Sequence, residues 1–314
     1  MRIHDGKISY MEKVICVVVT YNRKELLAEC LDALLAQTRL PEEIIVFNNC
    51  SSDKTEELFE KGAKYDREII KIFNSEKNLG GAGGFSEGMR LAAEHGADWV
   101  WLMDDDCIAQ EEALEALLNS AAFLKEKEEA IGFLASCVYG VGNVPINVPR
   151  IDDTPCENGY PYWYKHLARG IVAVKEATFV SLLIPSAAIK AVGYPLAQYF
   201  IWGDDAEYTR RIVKEYAPAF LCAESRVLHK RKDTNRIDIV KDNNKERIPM
   251  YRYHYRNALL NSAKYDGKGE TLLRWLYYFA LSFKCLLSPK QCLHTAKFAA
   301  IQRGIWMFIF RPVK

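Results

Sequence analysis

The chain has 314 residues, of which 49% are hydrophobic and 26% charged, and its formal net charge is +1. This excludes disordered and collagen-like chains and gives no global basis for nucleic-acid binding, while the length suits one α/β domain with an appended piece. Nine cysteines, odd in number and without a CxxC pair, point to reduced thiols in a cytosolic protein. Residues 1–13 lack an apolar signal core, and no stretch has the length expected of a transmembrane helix.

Val14 to Val19 is a continuous β-branched run, the pattern of a parallel strand buried on both faces, and it ends at Thr20-Tyr21-Asn22. Leu26, Leu27, Leu31, Leu34 and Leu35 then recur at helical spacing between Arg23 and Gln37. Glu43 to Phe47 is a second strand. It runs into Asn48-Asn49-Cys50-Ser51-Ser52-Asp53, where Ser52 or Asp53 can cap a helix over Lys54 to Lys61. A third strand, Ile69 to Phe73, leads through Asn78 to Gly80-Gly81-Ala82-Gly83-Gly84 and a helix from Phe85 to His95. The glycines match neither GxGxxG nor the P-loop spacing; they suit a tight turn or a close backbone approach to a ligand.

The fourth strand, Trp99 to Met103, exits into Asp104-Asp105-Asp106. Alternation along an extended backbone turns Asp104 and Asp106 to one side and Asp105 to the other, so two hard oxygen donors converge. A divalent cation, Mg2+ or Mn2+, would offset the repulsion; a solvated acidic turn is the plainer alternative. Strands and helices alternate through short connections, which implies a mostly parallel, doubly wound sheet. Ligands in such sheets bind at the carboxyl ends of the strands, where all four loops fall.

Beyond this lie a helical pattern at Leu114, Leu117, Leu118 and Leu124, a strand over Ile131 to Tyr139, and an aromatic loop containing Trp163 that could stack on a sugar. Thr178 to Ile184 reads as a strand. Trp202-Gly203-Asp204-Asp205 opens a helix; either Asp is an ordinary first-turn acid, or one of them serves as a general base. His229 follows strand-like segments at Ala219 to Leu221 and Val227-Leu228, and Lys230 to Arg247 reads as a charged mobile loop.

As a set, Thr20-Tyr21-Asn22-Arg23, Gln37-Thr38, Asn48-Asn49-Cys50-Ser51-Ser52-Asp53, Asn78-Leu79-Gly80-Gly81-Ala82-Gly83-Gly84-Phe85 and Asp104-Asp105-Asp106 resemble the GT-A nucleotide-sugar-binding domain of family 2 glycosyltransferases. The glycine loop with its DDD is similar to galactofuranosyltransferases and related rhamnosyltransferases. The resemblance covers residues 14 to about 260 and implies a GT-A doubly wound sheet. Its nucleotide-sugar half would be 14–110 and its acceptor half 111–260 of a domain 1–260, with a helical extension 261–314. It further implies a donor site at Thr20, Tyr21, Asn22, Asn49, Asp53, Asn78, Gly80, Gly81, Gly83, Gly84, Asp104, Asp105 and Arg256, the last from a YxxRN stretch. A Mn2+ or Mg2+ ion would sit on Asp104, Asp106 and His229. Asp205 becomes the general base, and Asp204, Trp202 and Trp163 contact the acceptor. Many members carry Asp where this chain has Asn48, which leaves the choice between a uracil and a thymine base open.

No acidic residue follows Glu270, while seven Lys or Arg (274, 284, 290, 297, 303, 311, 314) lie among many aromatic and aliphatic residues. This suits an amphipathic surface on an anionic membrane, or a helical pair packed on the domain or on a second copy in a homo-oligomer. The expected activity is inverting, metal-dependent transfer of a sugar from a nucleotide-sugar donor to a lipid-linked or oligosaccharide acceptor, at the inner face of a bacterial plasma membrane. UDP-galactofuranose is the first donor and dTDP-rhamnose the second. A nucleotidyltransferase would want a glycine-rich loop after the first strand, which Thr20 to Arg23 does not supply; a non-catalytic scaffold of transferase fold is the remaining rival.

Overall fold

In the computed structural model, which describes residues 2–4, 7–9, 12–231, 237–287 and 292–310, an antiparallel ribbon of β1 (Arg2–His4) and β2 (Lys7–Ser9) precedes the main sheet. Contacts divide the chain into two units. The first comprises Met1–Leu79, Gly84–Pro195 and Tyr208–Thr234; the second comprises Gly80–Gly83, Leu196–Glu207 and Asn235–Lys314.

The first unit is built on β3 (Val14–Thr20), all seven residues of which are buried. Strands β4 (Glu43–Asn48), β5 (Ile70–Asn74) and β6 (Trp99–Asp104) extend the sheet, with β3 parallel to β4 and β6, and β4 parallel to β5. Their carboxyl ends therefore share one rim. Burial on both faces follows from the helices between strands. Val14, Cys16 and Val18 pack with Leu27, Leu31 and Leu34 of α1 (Lys24–Leu35), while Ile15, Val17 and Val19 meet Phe85, Met89 and Ala92 of α2 (Gly80–Glu94). Each large side chain fully buried this way contributes roughly 1.5–3 kcal/mol.

Beyond β6 the sheet is mixed. β7 (Cys107–Ala109), α3 (Ala113–Glu126), β8 (Leu134–Gly140), β9 (Val144–Pro145), β10 (Arg150–Ile151), β11 (Ile171–Glu176), β12 (Leu182–Pro185), α4 (Ser186–Val192), α5 (Asp204–Glu215) and β13 (Ala219–His229) follow in order. Across the sheet the order is β10-β11-β13-β8-β12-β6-β3-β4-β5, with β12 antiparallel to both neighbours and β13 parallel to β8. The two strand-like segments before His229 are one strand of 11 residues, β13.

Two local expectations change. The helix foreseen over Lys54 to Lys61 is a short 3-10 turn, Thr55–Phe59, entered through Lys54 at φ 61, and Asp53 does not cap it in the expected way. Asp53 instead accepts from the Lys24 backbone N–H (2.9 Å) at the start of α1 and from Thr55 Oγ1 (2.5 Å). The glycine segment is not a loop ahead of a helix, because α2 begins at Gly80. A Cβ at Gly84 would lie 2.5 Å from Val19 Cγ1 and one at Gly88 2.4 Å from Val17 Cγ1, so glycine there allows the helix to lie against β3.

In the second unit α6 (Tyr251–Tyr265), α7 (Lys268–Leu286) and α8 (His294–Phe310) share a core that includes Tyr251, Tyr255, Leu259, Tyr278, Ile301 and Ile305. A Cβ on Gly304 would meet the Arg252 carbonyl at 2.7 Å, which marks a close crossing of α6 and α8. Helix α7 turns Leu272, Leu276, Phe279 and Phe283 outward, with Leu287 exposed just past its end, whereas Ser282 and Cys285 are buried. No helix of the described residues is long and apolar enough to cross a membrane. Of the basic residues noted in the sequence, Lys290, Arg311 and Lys314 lie outside the described residues, as does the 232–236 part of the expected loop.

Candidate active site

Strand β6 ends at Asp104, the chain turns through Asp105 and Asp106, and β7 pairs antiparallel with the end of β13. The register sets His229 opposite Cys107, and the Lys230 N–H donates to the Asp106 carbonyl (2.8 Å). Pairing thus brings a histidine to carboxylates more than a hundred residues earlier. One ligand atom from each of Asp104, Asp106, Cys107 and His229 falls within 4.8 Å of all the others. His229 Nε2 is 3.0 Å from Asp106 Oδ1, and its Nδ1 faces Asn147 Oδ1, also at 3.0 Å. An amide oxygen only accepts, so Nδ1 carries hydrogen and the neutral ring directs its Nε2 lone pair at the carboxylate.

Asp106 Oδ1 is fully buried and makes no aligned hydrogen bond among the described residues. Two electron-rich atoms 3 Å apart in a dry corner require a positive charge, either a proton or a cation. Without a cation the proton fills that need: although burial disfavours its charged form, the His229 imidazole is held above its ordinary pKa by Asp106 and Asp104. Burial alone would raise Asp106, yet His229 and Arg23 hold it below the usual carboxylate range. Asp104 is pushed up to about 7 by burial and by the charge of Asp106. Two carboxylates and an imidazole fit Mg2+ or Mn2+. Cys107, whose thiol burial and the neighbouring carboxylates push far up, offers a soft sulfur that suits Mg2+ or Mn2+ less well than the oxygen and imidazole donors.

Asp105, in the turn after β6, is not part of this group. It accepts from Thr20 Oγ1 (2.8 Å) and from Arg23 Nη1 (3.1 Å), and burial pushes it up to about 6 despite the Arg23 charge. Arg23 Nη1 also reaches Asp106 Oδ2 (2.8 Å) from a half-exposed position. Arg23 and Asn147 were not singled out as site residues in the sequence. Arg23 adjoins the Thr20 to Asn22 motif and could have been found; Asn147, at φ 51 in an irregular loop, had no sequence signal.

Along the same rim Asn49 ties three segments together. Its N–H donates to the Thr20 carbonyl (2.9 Å), its Oδ1 accepts from the Leu79 N–H (2.8 Å), and its Nδ2 reaches Asn78 Oδ1 (3.2 Å). Asn22 Oδ1 accepts from the Ser52 N–H (2.6 Å). Asn48 is buried and spends its amide on Asn74 Oδ1 (2.8 Å) and the Ser51 N–H (3.1 Å). Tyr21 is left exposed beside these groups. Trp163, in the 3-10 turn Tyr162–Tyr164 of this unit, packs partly buried against the core and edge-on to Tyr164.

The second unit holds the other acidic pair. Asp204 and Asp205 form the first turn of α5, where helix N–H groups favour anions. Asp204 is 7% exposed and is pushed up to about 8 by burial and then by the Asp205 charge, so it keeps its proton near neutrality. Asp205 Oδ1 accepts from the Ala206 N–H (2.7 Å). Trp202, at φ 62, packs its ring against Tyr251 at 5.1 Å. A Cβ on Gly80 would sit 2.1 Å from the Phe200 carbonyl oxygen, and the Ala82 N–H donates to that same oxygen (3.1 Å). Gly81 has open space where a Cβ would be. Gly83 is buried. Arg256 is buried, with Nη2 on the Gln198 carbonyl (2.6 Å) and the Tyr199 carbonyl (3.2 Å).

A parallel sheet whose strand ends share one rim, an acidic strand exit and a mixed second half define the GT-A class of transferase folds. Solved structures share it: GalNAc-T7 with UDP, GalNAc and Mn2+ matches with a TM-score of 0.61 at 14% identity, over 96% of this chain and 56% of that one. S. aureus TarS 1-349 matches with a TM-score of 0.51 at 16% identity, over 95% and 72%. The family model "Glycosyl transferase family 2" matches residues 15–147. Galactofuranosyltransferase GlfT1 of Mycobacterium tuberculosis H37Rv is 35% identical over 238 residues, 69% of this chain and 70% of that protein. The chain belongs to glycosyltransferase family 2, and it is a glycosyltransferase.

Proposed function

We propose that this glycosyltransferase is inverting and metal-dependent, and that it transfers galactofuranose from UDP-galactofuranose to a hydroxyl of a growing, lipid-linked bacterial glycan at the cytoplasmic face of the membrane. The convergence of Asp104, Asp106 and His229 around the orphaned Asp106 Oδ1 carries the metal dependence. The likeness to GlfT1 supports the sugar.

The donor would lie along Thr20, Tyr21, Asn22, Asn49, Asp53 and Asn78, with the glycine segment Gly80 to Gly84 and the Asp104-Asp105 turn beside its diphosphate. Mg2+ or Mn2+ held by Asp104, Asp106 and His229 would supply positive charge for the leaving diphosphate. Asp205 takes the proton of the acceptor hydroxyl as that oxygen bonds to the anomeric carbon and the bond to the diphosphate breaks. One displacement inverts the carbon. Asp204, protonated at neutral pH, offers a hydrogen bond to the acceptor, and Trp202 and Trp163 offer aromatic faces. The outward apolar face of α7, with exposed Lys284 nearby and exposed Arg303 on α8, would rest on anionic lipid near the acceptor's anchor.

The test is turnover and binding of UDP-galactofuranose, dTDP-rhamnose and other UDP- and GDP-sugars with Mn2+, Mg2+ or chelator. Wild type should turn over UDP-galactofuranose only with metal. Asp106→Ala should lose metal binding, and Asp205→Asn should bind donor yet lose at least about 100-fold in kcat. Preference for dTDP-rhamnose would reject the sugar, and full activity in chelator would reject the metal.

A further inference from the structure

The loop ahead of the acidic pair takes an unfavourable path. Phe200, Trp202 and Gly203 have φ values of 64, 62 and 86, and two of these are bulky aromatic residues that rarely adopt the left-handed region. Such a path persists only where its surroundings over-determine it. Here every carbonyl from Gln198 to Gly203 is held. Arg256 Nη2 takes those of Gln198 and Tyr199. The two N–H groups of Asn257 Nδ2 are shared among those of Tyr199 (3.0 Å), Ile201 (3.1 Å) and Trp202 (2.7 Å), while Asn261 Nδ2 takes that of Gly203 (2.8 Å). The remaining one, Phe200, is bound by the Ala82 N–H. Arg256 Nε donates to Asn257 Oδ1 (2.8 Å), so the two side chains also fix each other.

We propose that Arg256, Asn257 and Asn261, successive on the face of α6, are positioning residues: a clamp on the 198–203 carbonyls that aims the Asp204-Asp205 pair at the acceptor. This rests on the reading of Asp205 as general base. It also gives Arg256 a role other than the donor contact suggested by the YxxRN resemblance, because its Nη2 is committed to the loop carbonyls and its Nε to Asn257, which itself sits about one turn before Asn261. The side-chain types match the task. A guanidinium or an amide presents divergent N–H donors to several carbonyls at once, which a single ammonium point does not do as well.

Hydrogen exchange of residues 196–206, UDP binding with Mn2+, and kinetics with the nucleotide sugar that turns over in the donor panel would be measured for wild type, Arg256→Lys, Asn257→Asp, Asp205→Asn and the double variant Arg256→Lys/Asp205→Asn. Arg256→Lys keeps the charge and is the variant expected to fold; melting temperature checks this, and Asn257→Asp provides an independent break of the same clamp. The expected result is at least tenfold faster exchange in 196–206 and a 10- to 100-fold lower kcat, with UDP affinity within about twofold of wild type. The double variant should be no slower than Asp205→Asn alone, because the clamp acts through that carboxylate. Unchanged exchange and kcat in both clamp variants would overturn the proposal. So would weaker UDP binding at unchanged saturated kcat, which would return Arg256 to the donor. Faster exchange and lower kcat together with an active Asp205→Asn would instead reject the base assignment, and with it the stated target of the clamp.

Discussion

At the scale of single residues, Asp204 makes protonation visible in stability. The folded chain holds its proton up to about pH 8, owing to burial and then the charges of Asp205 and Glu207. An exposed Asp releases its proton near about pH 4. Between those values the unfolded chain binds fewer protons than the folded one, so stability falls as pH rises and levels off above the folded value. Lys264 and Tyr265 bind Glu207 from α6, at 2.8 and 3.1 Å, and moderate the local negative charge without removing it. Asp204→Asn should therefore melt several degrees higher than wild type at pH 8.5, with the difference shrinking towards pH 4.5. Equal melting temperatures at both pH values would reject the raised pKa. The residue types of both acidic clusters were legible in the sequence because adjacent carboxylates are costly without a purpose. Asn147 was not, because its role depends on a loop position that no periodicity encodes.

At the scale of elements, strands were legible wherever both faces are buried, since an unbroken apolar run such as Val14 to Val19 has few other solutions. The glycine segment misled for a physical reason. Glycine is a turn former in the sequence, but at Gly84 and Gly88 what matters is the missing Cβ, which lets α2 sit on β3. Gly84→Ala should cost about 1–3 kcal/mol through overpacking against Val19. Denaturant unfolding of Gly84→Ala, and of Gly84→Ala with Val19→Ala to reopen the space, would check this; no recovery in the pair would place the cost elsewhere. The apolar pattern lapses between Leu221 and Val227, yet β13 continues there through a register shift between Cys222 and Arg226 while still pairing with β8. Polar residues inside a long edge-to-centre strand resemble a turn until its partners are known.

At the scale of the whole molecule, the sequence carried the sheet's class and the acidic corner. The polarity of α7 was partly hidden, because its composition is visible in the sequence but the face turned outward is set by α6 and α8. That outward row of Leu272, Leu276, Phe279, Phe283 and Leu287 gives the membrane prediction. Wild type should sediment with vesicles containing anionic phospholipid at low salt. Leu276→Glu/Phe283→Glu should reduce that binding at least about tenfold with an unchanged melting temperature. A concentration-dependent dimer lost in the same variant, with no vesicle binding by wild type, would assign the face to a second copy instead.

The arrival of His229 on β13 has a consequence for synthesis. The stretch matched by the family model ends at residue 147, yet β8 within it pairs with β12 and β13, and Asp106 meets its imidazole only through β13. A nascent chain emerging from the ribosome thus presents three adjacent aspartates and a half-edged sheet until more than eighty further residues have been added. The proposed cation site needs His229, so an ion bound there would report that β13 has joined the sheet.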